Sequence, residues 1–205
     1  MLFLGLNACK EPNKAEVPDK PAIDHSAHST TKKGMFSKYG YADSVNDGLI
    51  TADTLKGSPR RTAMVTINGC HIHIDYGSPG VKGRNIWGGL VAYDEVWAAG
   101  AHHATQISFN KPLKINGTTI EAGTYGFFLL PGKQEWIAIF NKNYEQHLAD
   151  DYAQSEDVLR VPVTPQTHAV TQRLTYEVTA LEGANGMVVF TWENLKLKIP
   201  FVVLD

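Results

Sequence analysis

Three short segments hold the residues best suited to chemistry. The first is Gly69-Cys70-His71-Ile72-His73-Ile74-Asp75-Tyr76. Alternate side chains on a strand share a face, so His71 and His73 point together, opposite Cys70, Ile72 and Ile74. Two imidazoles at i and i+2, roughly 7 Å apart along the strand, can both reach one metal ion. The second is Gly100-Ala101-His102-His103-Ala104-Thr105-Gln106-Ile107-Ser108-Phe109. Here Ile107 and Phe109 mark an apolar face that His103 shares, while His102 falls on the polar one; a bulge at Gly100 would exchange the two. The third is Tyr144-Glu145-Gln146-His147-Leu148-Ala149-Asp150-Asp151-Tyr152. Read as a helix, it sets His147 beside Asp150 and Asp151 at i+3 and i+4. Such a carboxylate can be a further ligand or can orient the ring.

These segments give the expectation of one transition metal held by His71, His73 and His102, with His147 or His103 completing the shell and Asp150 or Asp151 behind it. Imidazole sites suit copper, zinc or nickel. A shell of three or four His with an open position resembles a catalytic or redox site more than a closed structural zinc site, which usually recruits Cys. Copper is favoured over zinc, because a nitrogen-only site in an exported protein suits copper handling. Cys70 points away from the two strand histidines and reads as a small buried apolar residue. Two other functions fit the same residues. One is a metal-free small-ligand or sugar-binding module, with Arg84 and the histidines as hydrogen-bond partners. The other is an enzyme, either a metal-dependent hydrolase or a copper oxidase.

A fourth segment, Asp75-Tyr76-Gly77-Ser78-Pro79-Gly80-Val81-Lys82-Gly83-Arg84-Asn85-Ile86-Trp87-Gly88-Gly89, is rich in glycine. Its backbone N–H groups with Lys82 and Arg84 could cradle an anion. The competing reading is a tight turn whose Arg84 pins a neighbouring loop by pairing with a carboxylate. It is no Walker motif, and no G-x-S-x-G supports a serine nucleophile. Trp87, Trp97, Trp136 and Trp192 sit in or beside strands and read as core rather than as a sugar-stacking platform. His25 and His28 stand at H-x-x-H spacing on a polar arm, and His168 is read as lying in a surface loop.

Composition bounds the context. The chain has 205 residues, 43% of them hydrophobic, and a net charge of −2 with neutral His, so no basic field draws in nucleic acid. No apolar run reaches the ~20 residues that span a bilayer. Only Cys9 and Cys70 are present. Leu6-Asn7-Ala8-Cys9, after Met1-Leu2-Phe3-Leu4-Gly5, resembles a bacterial lipobox without the usual preceding basic stretch. A lipidated Cys9 anchors the protein to a bacterial membrane, periplasmic or surface-exposed, and leaves Cys70 without a disulfide partner. Residues 10–34 read as a disordered tether, with Pro12, Pro18 and Pro21 interrupting a polar string.

The elements that must position the histidines lie in residues 35–205, a single domain. Short alternating runs separated by turn residues predict strands at Ala63–Ile67, Cys70–Tyr76, Ala104–Phe109, Pro112–Ile115, Thr118–Ile120, Thr124–Leu130, Trp136–Phe140, Val158–Val163, Arg173–Leu181, Met187–Trp192 and Leu195–Val203. Asn116-Gly117 and Asn185-Gly186 are two-residue hairpin signals. Pro200 within the last run places it at an edge or bulge. Tyr144–Tyr152, with Tyr144, Leu148 and Tyr152 four apart, reads as the one short helix. The class is all-β, an antiparallel sandwich or flattened barrel.

Val81-Lys82-Gly83-Arg84-Asn85-Ile86-Trp87-Gly88-Gly89-Leu90-Val91, Val96-Trp97, Gly100-Ala101, Ala104-Thr105, Ala122-Gly123-Thr124-Tyr125, Pro131-Gly132 and Glu135-Trp136 closely resemble the bacterial "domain of unknown function 2911" family. The resemblance covers roughly Ser58 to Val203. It implies a compact β-rich domain behind a signal or lipobox, and it carries no established activity. Many members look like Gly-Ala-Asn-Glu-Ala-Thr where this chain has Gly100-Ala101-His102-His103-Ala104-Thr105, and His71 and His73 replace ordinary strand residues. The metal expectation therefore rests on this sequence and not on the family.

Overall fold

The computed structural model describes residues 40–205. The lipobox, Cys9, the tether, His25 and His28 lie outside the described residues. A six-residue helix, α1 (Tyr41–Asn46), precedes ten strands: β1 (Arg60–Ile67), β2 (Cys70–Gly77), β3 (Thr105–Phe109), β4 (Leu113–Ile115), β5 (Thr118–Ile120), β6 (Gly123–Leu130), β7 (Trp136–Asn141), β8 (Asp157–Val163), β9 (Gln166–Ala180) and β10 (Asn185–Val203). They form a six-stranded sheet in the order β1-β2-β3-β6-β7-β8 and a four-stranded sheet in the order β5-β4-β10-β9, with antiparallel pairing between neighbours. The result is the expected antiparallel sandwich.

Alternation explains the layers. In β2, Cys70, Ile72, Ile74 and Tyr76 are buried, while His71, His73 and Asp75 take the outer face. Cys70 is fully buried and free. In β10, Leu197, Ile199, Phe201 and Val203 face inward and Lys198 and Pro200 outward. Pro200 lies between two pairings, beyond Lys196↔Gln166 and before Phe201↔Ile115, so its missing N–H breaks no ladder bond. The runs read as two strands, Met187–Trp192 and Leu195–Val203, are one strand bent at Glu193, where the β9 register shifts and φ is +51°.

The Asn116-Gly117 turn forms as expected, with φ of +47° and +82°. The expectation at Asn185-Gly186 is corrected. The turn is at Glu182–Ala184, with Gly183 at positive φ, and Asn185 already begins β10. Gly186 is needed for packing, since a Cβ there would strike the Phe201 ring and Ile67. His168 lies in β9, not in a loop.

Candidate functional site

The long connection from β2 to β3, residues 78–104, holds the glycine-rich and Gly100-Ala101 motifs and crosses one end of the sandwich. It is tied down at several points. Ser78 Oγ donates to Leu174 O, Val81 N to Gln172 O, and Leu174 N to Pro79 O. Trp97 and Leu129 exchange both backbone hydrogen bonds, at 2.8 and 2.9 Å, which extends the pairing of β6 beyond the end of β3. Ala99, buried and at φ +53°, has its carbonyl held by Tyr176 Oη and Thr105 Oγ1. Burial first, and then the nearby Tyr76, push the Tyr176 hydroxyl well above its ordinary pKa, so it stays a donor.

Buried Arg173 anchors the approach to this connection. Its guanidinium donates to Asp53 Oδ1 at 2.7 Å and to the carbonyls of Leu55, Gly57 and Ser78. Burial alone would raise the Asp53 carboxyl, but Arg173, with help from Tyr41 and Lys82, holds it below its ordinary value. A Cβ on Gly80 would press on Asp53 Oδ2, so that glycine clears space for the ion pair. Sequence reasoning missed Arg173, because a charged residue inside a run of β-formers looks like an outward-facing position.

Over the outer face of β6 and β7 lies the segment 142–153. The helix expected within it, Tyr144–Tyr152, is corrected: the segment is an irregular loop. Polar side chains take over the backbone groups that a helix would use. Asn141 Oδ1 accepts from Asn143 N, Gln146 Nε2 donates to Asn143 O, and Gln146 Oε1 accepts from Asp151 N. Leu148 adopts φ +48°. Apolar spacing here serves a small second core in which Leu148, Ala149 and Tyr152 pack on Ala98, Ala104, Phe128 and Ile139. Tyr152 is tied to Asp157 at 2.7 Å; burial, then that carboxylate, push its pKa up to about 12.

A cleft of about 420 Å³ opens where these two loops meet the sandwich. Trp97 and Trp192 line it together with Leu90, Val96, Arg84 and Asp150. The two indoles stack at 5.6 Å with 22° between planes, and Trp87 meets both edge-on. Trp87 Nε1 donates to Glu193 at 3.1 Å. Trp192, 1% exposed, has no hydrogen-bond partner for its Nε1 among the described residues. Arg84 donates Nε and Nη2 to the carbonyls of Val81 and Gly80, which fixes its plane, and it forms no ion pair among the described residues. The expected carboxylate partner for Arg84 is therefore replaced by backbone carbonyls. Lys82 donates to Leu55 O and shares with Arg84 a neighbouring hollow of about 260 Å³.

The expected histidines divide into two places. His71 and His73 share the outer face of β2, where Thr66 Oγ1 contacts His71 Nδ1 at 2.8 Å and His73 sits between Met64 and Ser108. His102 and His103 lie beyond β3 in the connection that passes over Gly77, at the far end of β2, roughly 13 Å along the strand from His73. His103 faces outward and is exposed, not turned into the core, because β3 begins only at Thr105. His147 pairs with His103 across an isolated antiparallel bridge, and its Nδ1 contacts Asp150 Oδ2 at 2.8 Å. The Asp151 backbone N–H donates to Gln146 Oε1. No group of three or more His, Cys, Asp or Glu among the described residues could hold a metal ion. The single multi-histidine shell is thus not assembled.

The family model described as a protein of unknown function (DUF2911) matches residues 58–201. That span includes both strands of the Trp97–Leu129 pairing and every tryptophan of the cleft. No curated protein and no solved structure matches the chain. The chain belongs to the DUF2911 family.

Proposed function

We propose that this protein is a binding module for a small amphipathic organic anion, held by a lipidated Cys9 at a bacterial membrane. The cleft takes the apolar body of the ligand against Trp97, Trp192, Leu90 and Val96, and Arg84 receives its carboxylate. Apolar lining with a few placed polar groups is the usual make-up of a small-molecule site. The aliphatic wall favours an aryl or alkyl carboxylate over a sugar, whose hydroxyls would need more partners than the cleft offers.

The observation that supports this reading most is the conjunction of an open cleft with a mainly apolar lining and a guanidinium that meets no carboxylate among the described residues. Fluorescence titration of the full chain with phenylacetate, octanoate and glucose tests it. Saturable quenching is expected with a carboxylate and not with glucose. Arg84→Gln should weaken it by about 10- to 100-fold, the worth of a charged hydrogen bond. Equal binding by wild type and Arg84→Gln would contradict the assignment.

For the anchor, the lipobox-like Leu6-Asn7-Ala8-Cys9 is the support. Fatty-acid labelling and membrane fractionation in a bacterial host should both be lost in Cys9→Ser.

A further inference from the structure

The bridge between His103 and His147 has a geometry of its own. Leu148 N donates to His102 O at 3.1 Å and Ala104 N to Gln146 O at 3.0 Å. These bonds flank the pair and do not join it, so His103 and His147 form a non-hydrogen-bonded antiparallel pair. In such a pair the Cα atoms approach to about 4.5 Å and the two side chains stand close on one face. Both imidazoles are exposed and line one open hollow of about 390 Å³ with Gln106 and Glu145.

The backbone is built to hold this pair. His102 at φ +69° and Leu148 at φ +48° flank it, a left-handed conformation uncommon for residues other than glycine. Gly77 and Gly126 let the two loops lie against the sheet. A Cβ on Gly77 would strike Ala101 O, and one on Gly126 would sit 2.9 Å from Asn143 O. The His147 ring is oriented as well. Asp150 accepts from Nδ1, which leaves Nε2 as the nitrogen for a ligand, the carboxylate–histidine arrangement that supports metal ligation.

We infer that His103 and His147 together form a two-nitrogen site for a divalent transition metal, copper(II) foremost, with solvent filling the remaining positions. Two imidazoles without a thiolate favour copper(II) by the usual affinity order. His71 and His73 take no part. The site stands apart from the anion reading and shares only Asp150 with the cleft, so either can fail alone.

The experiment is calorimetric titration of the full chain with copper(II), with zinc(II) and nickel(II) as weaker comparators. A His25→Ala/His28→Ala background removes the competing pair in the N-terminal arm. One copper per chain is expected, with magnetic resonance showing coupling to two imidazole nitrogens. His103→Ala and His147→Ala should each reduce affinity by at least tenfold, and Asp150→Asn by about 10- to 100-fold. A His71→Ala/His73→Ala variant should bind as the background does. His71, His73, His103, His147 and Asp150 are on outer faces, and unchanged thermal unfolding will show that each variant folds. Copper binding that survives both His103→Ala and His147→Ala, or no saturable binding in the background protein, would overturn the assignment.

Discussion

At the scale of single residues, Arg173 carries the largest structural load. It is fully buried, and its main charge partner is Asp53, whose carboxyl it holds below the ordinary value. Arg173→Met leaves that carboxylate without its cation, and equilibrium denaturation should show a loss of about 3–5 kcal/mol. The same pair sets an acid limit. Because the folded pKa of Asp53 is depressed, its stabilisation is complete above the ordinary value of 3.8 and is lost as pH falls through the lower folded value. Unfolding free energy measured against pH should therefore drop in that window, and Asp53→Asn should flatten the drop. None of this was legible in the sequence. Arg173 reads as an outward-facing charge in a strand, and the partners of its guanidinium lie 95 or more residues away along the chain.

At the scale of elements, the two-residue period did most of the work. Cys70-Ile72-Ile74 against His71-His73 and Leu197-Ile199-Phe201 against Lys198 declared their faces because each strand has one buried side. The segment 142–153 misled because Tyr144, Leu148 and Tyr152 recur at helical spacing. Asn141 and Gln146 compete for the backbone there, and side-chain capping of this kind does not show in apolar periodicity. The same limit hid the His103–His147 pairing, which depends on two left-handed residues and on glycines that admit the loops. Gly186→Ala tests the packing side of this account. Its Cβ would meet the Phe201 ring and Ile67, so a loss of about 1–3 kcal/mol is expected in thermal or denaturant unfolding. Gly183→Ala gives the contrast, since open space surrounds that position and its cost comes only from a positive φ.

At the scale of the whole domain, the family match begins at residue 58, yet the folded body reaches further toward the N-terminus. α1 and the segment after it supply Asn46, which bonds Arg173 and Thr175, together with Asp53 and the carbonyls of Leu55 and Gly57 around the buried guanidinium. A fragment starting at residue 58 should therefore unfold at markedly lower denaturant than one starting at residue 36. Equal midpoints would show that these contacts are dispensable. The cleft, too, is a property of the whole. Trp97 comes from the β2–β3 connection, Trp192 from β10 at its bend, and Asp150 from the loop over β7, so no local motif could have announced it.

The most direct test of the anion-binding account follows the indole N–H resonances of the four tryptophans in ¹⁵N-labelled full-length protein as phenylacetate is added. The Trp97 and Trp192 resonances, from the two indoles that line the cleft, are expected to move most and to saturate, and Arg84→Gln is expected to remove the movement at the same phenylacetate concentration. Immobile Trp97 and Trp192 resonances, or an equal movement in Arg84→Gln, would contradict the anion-binding reading.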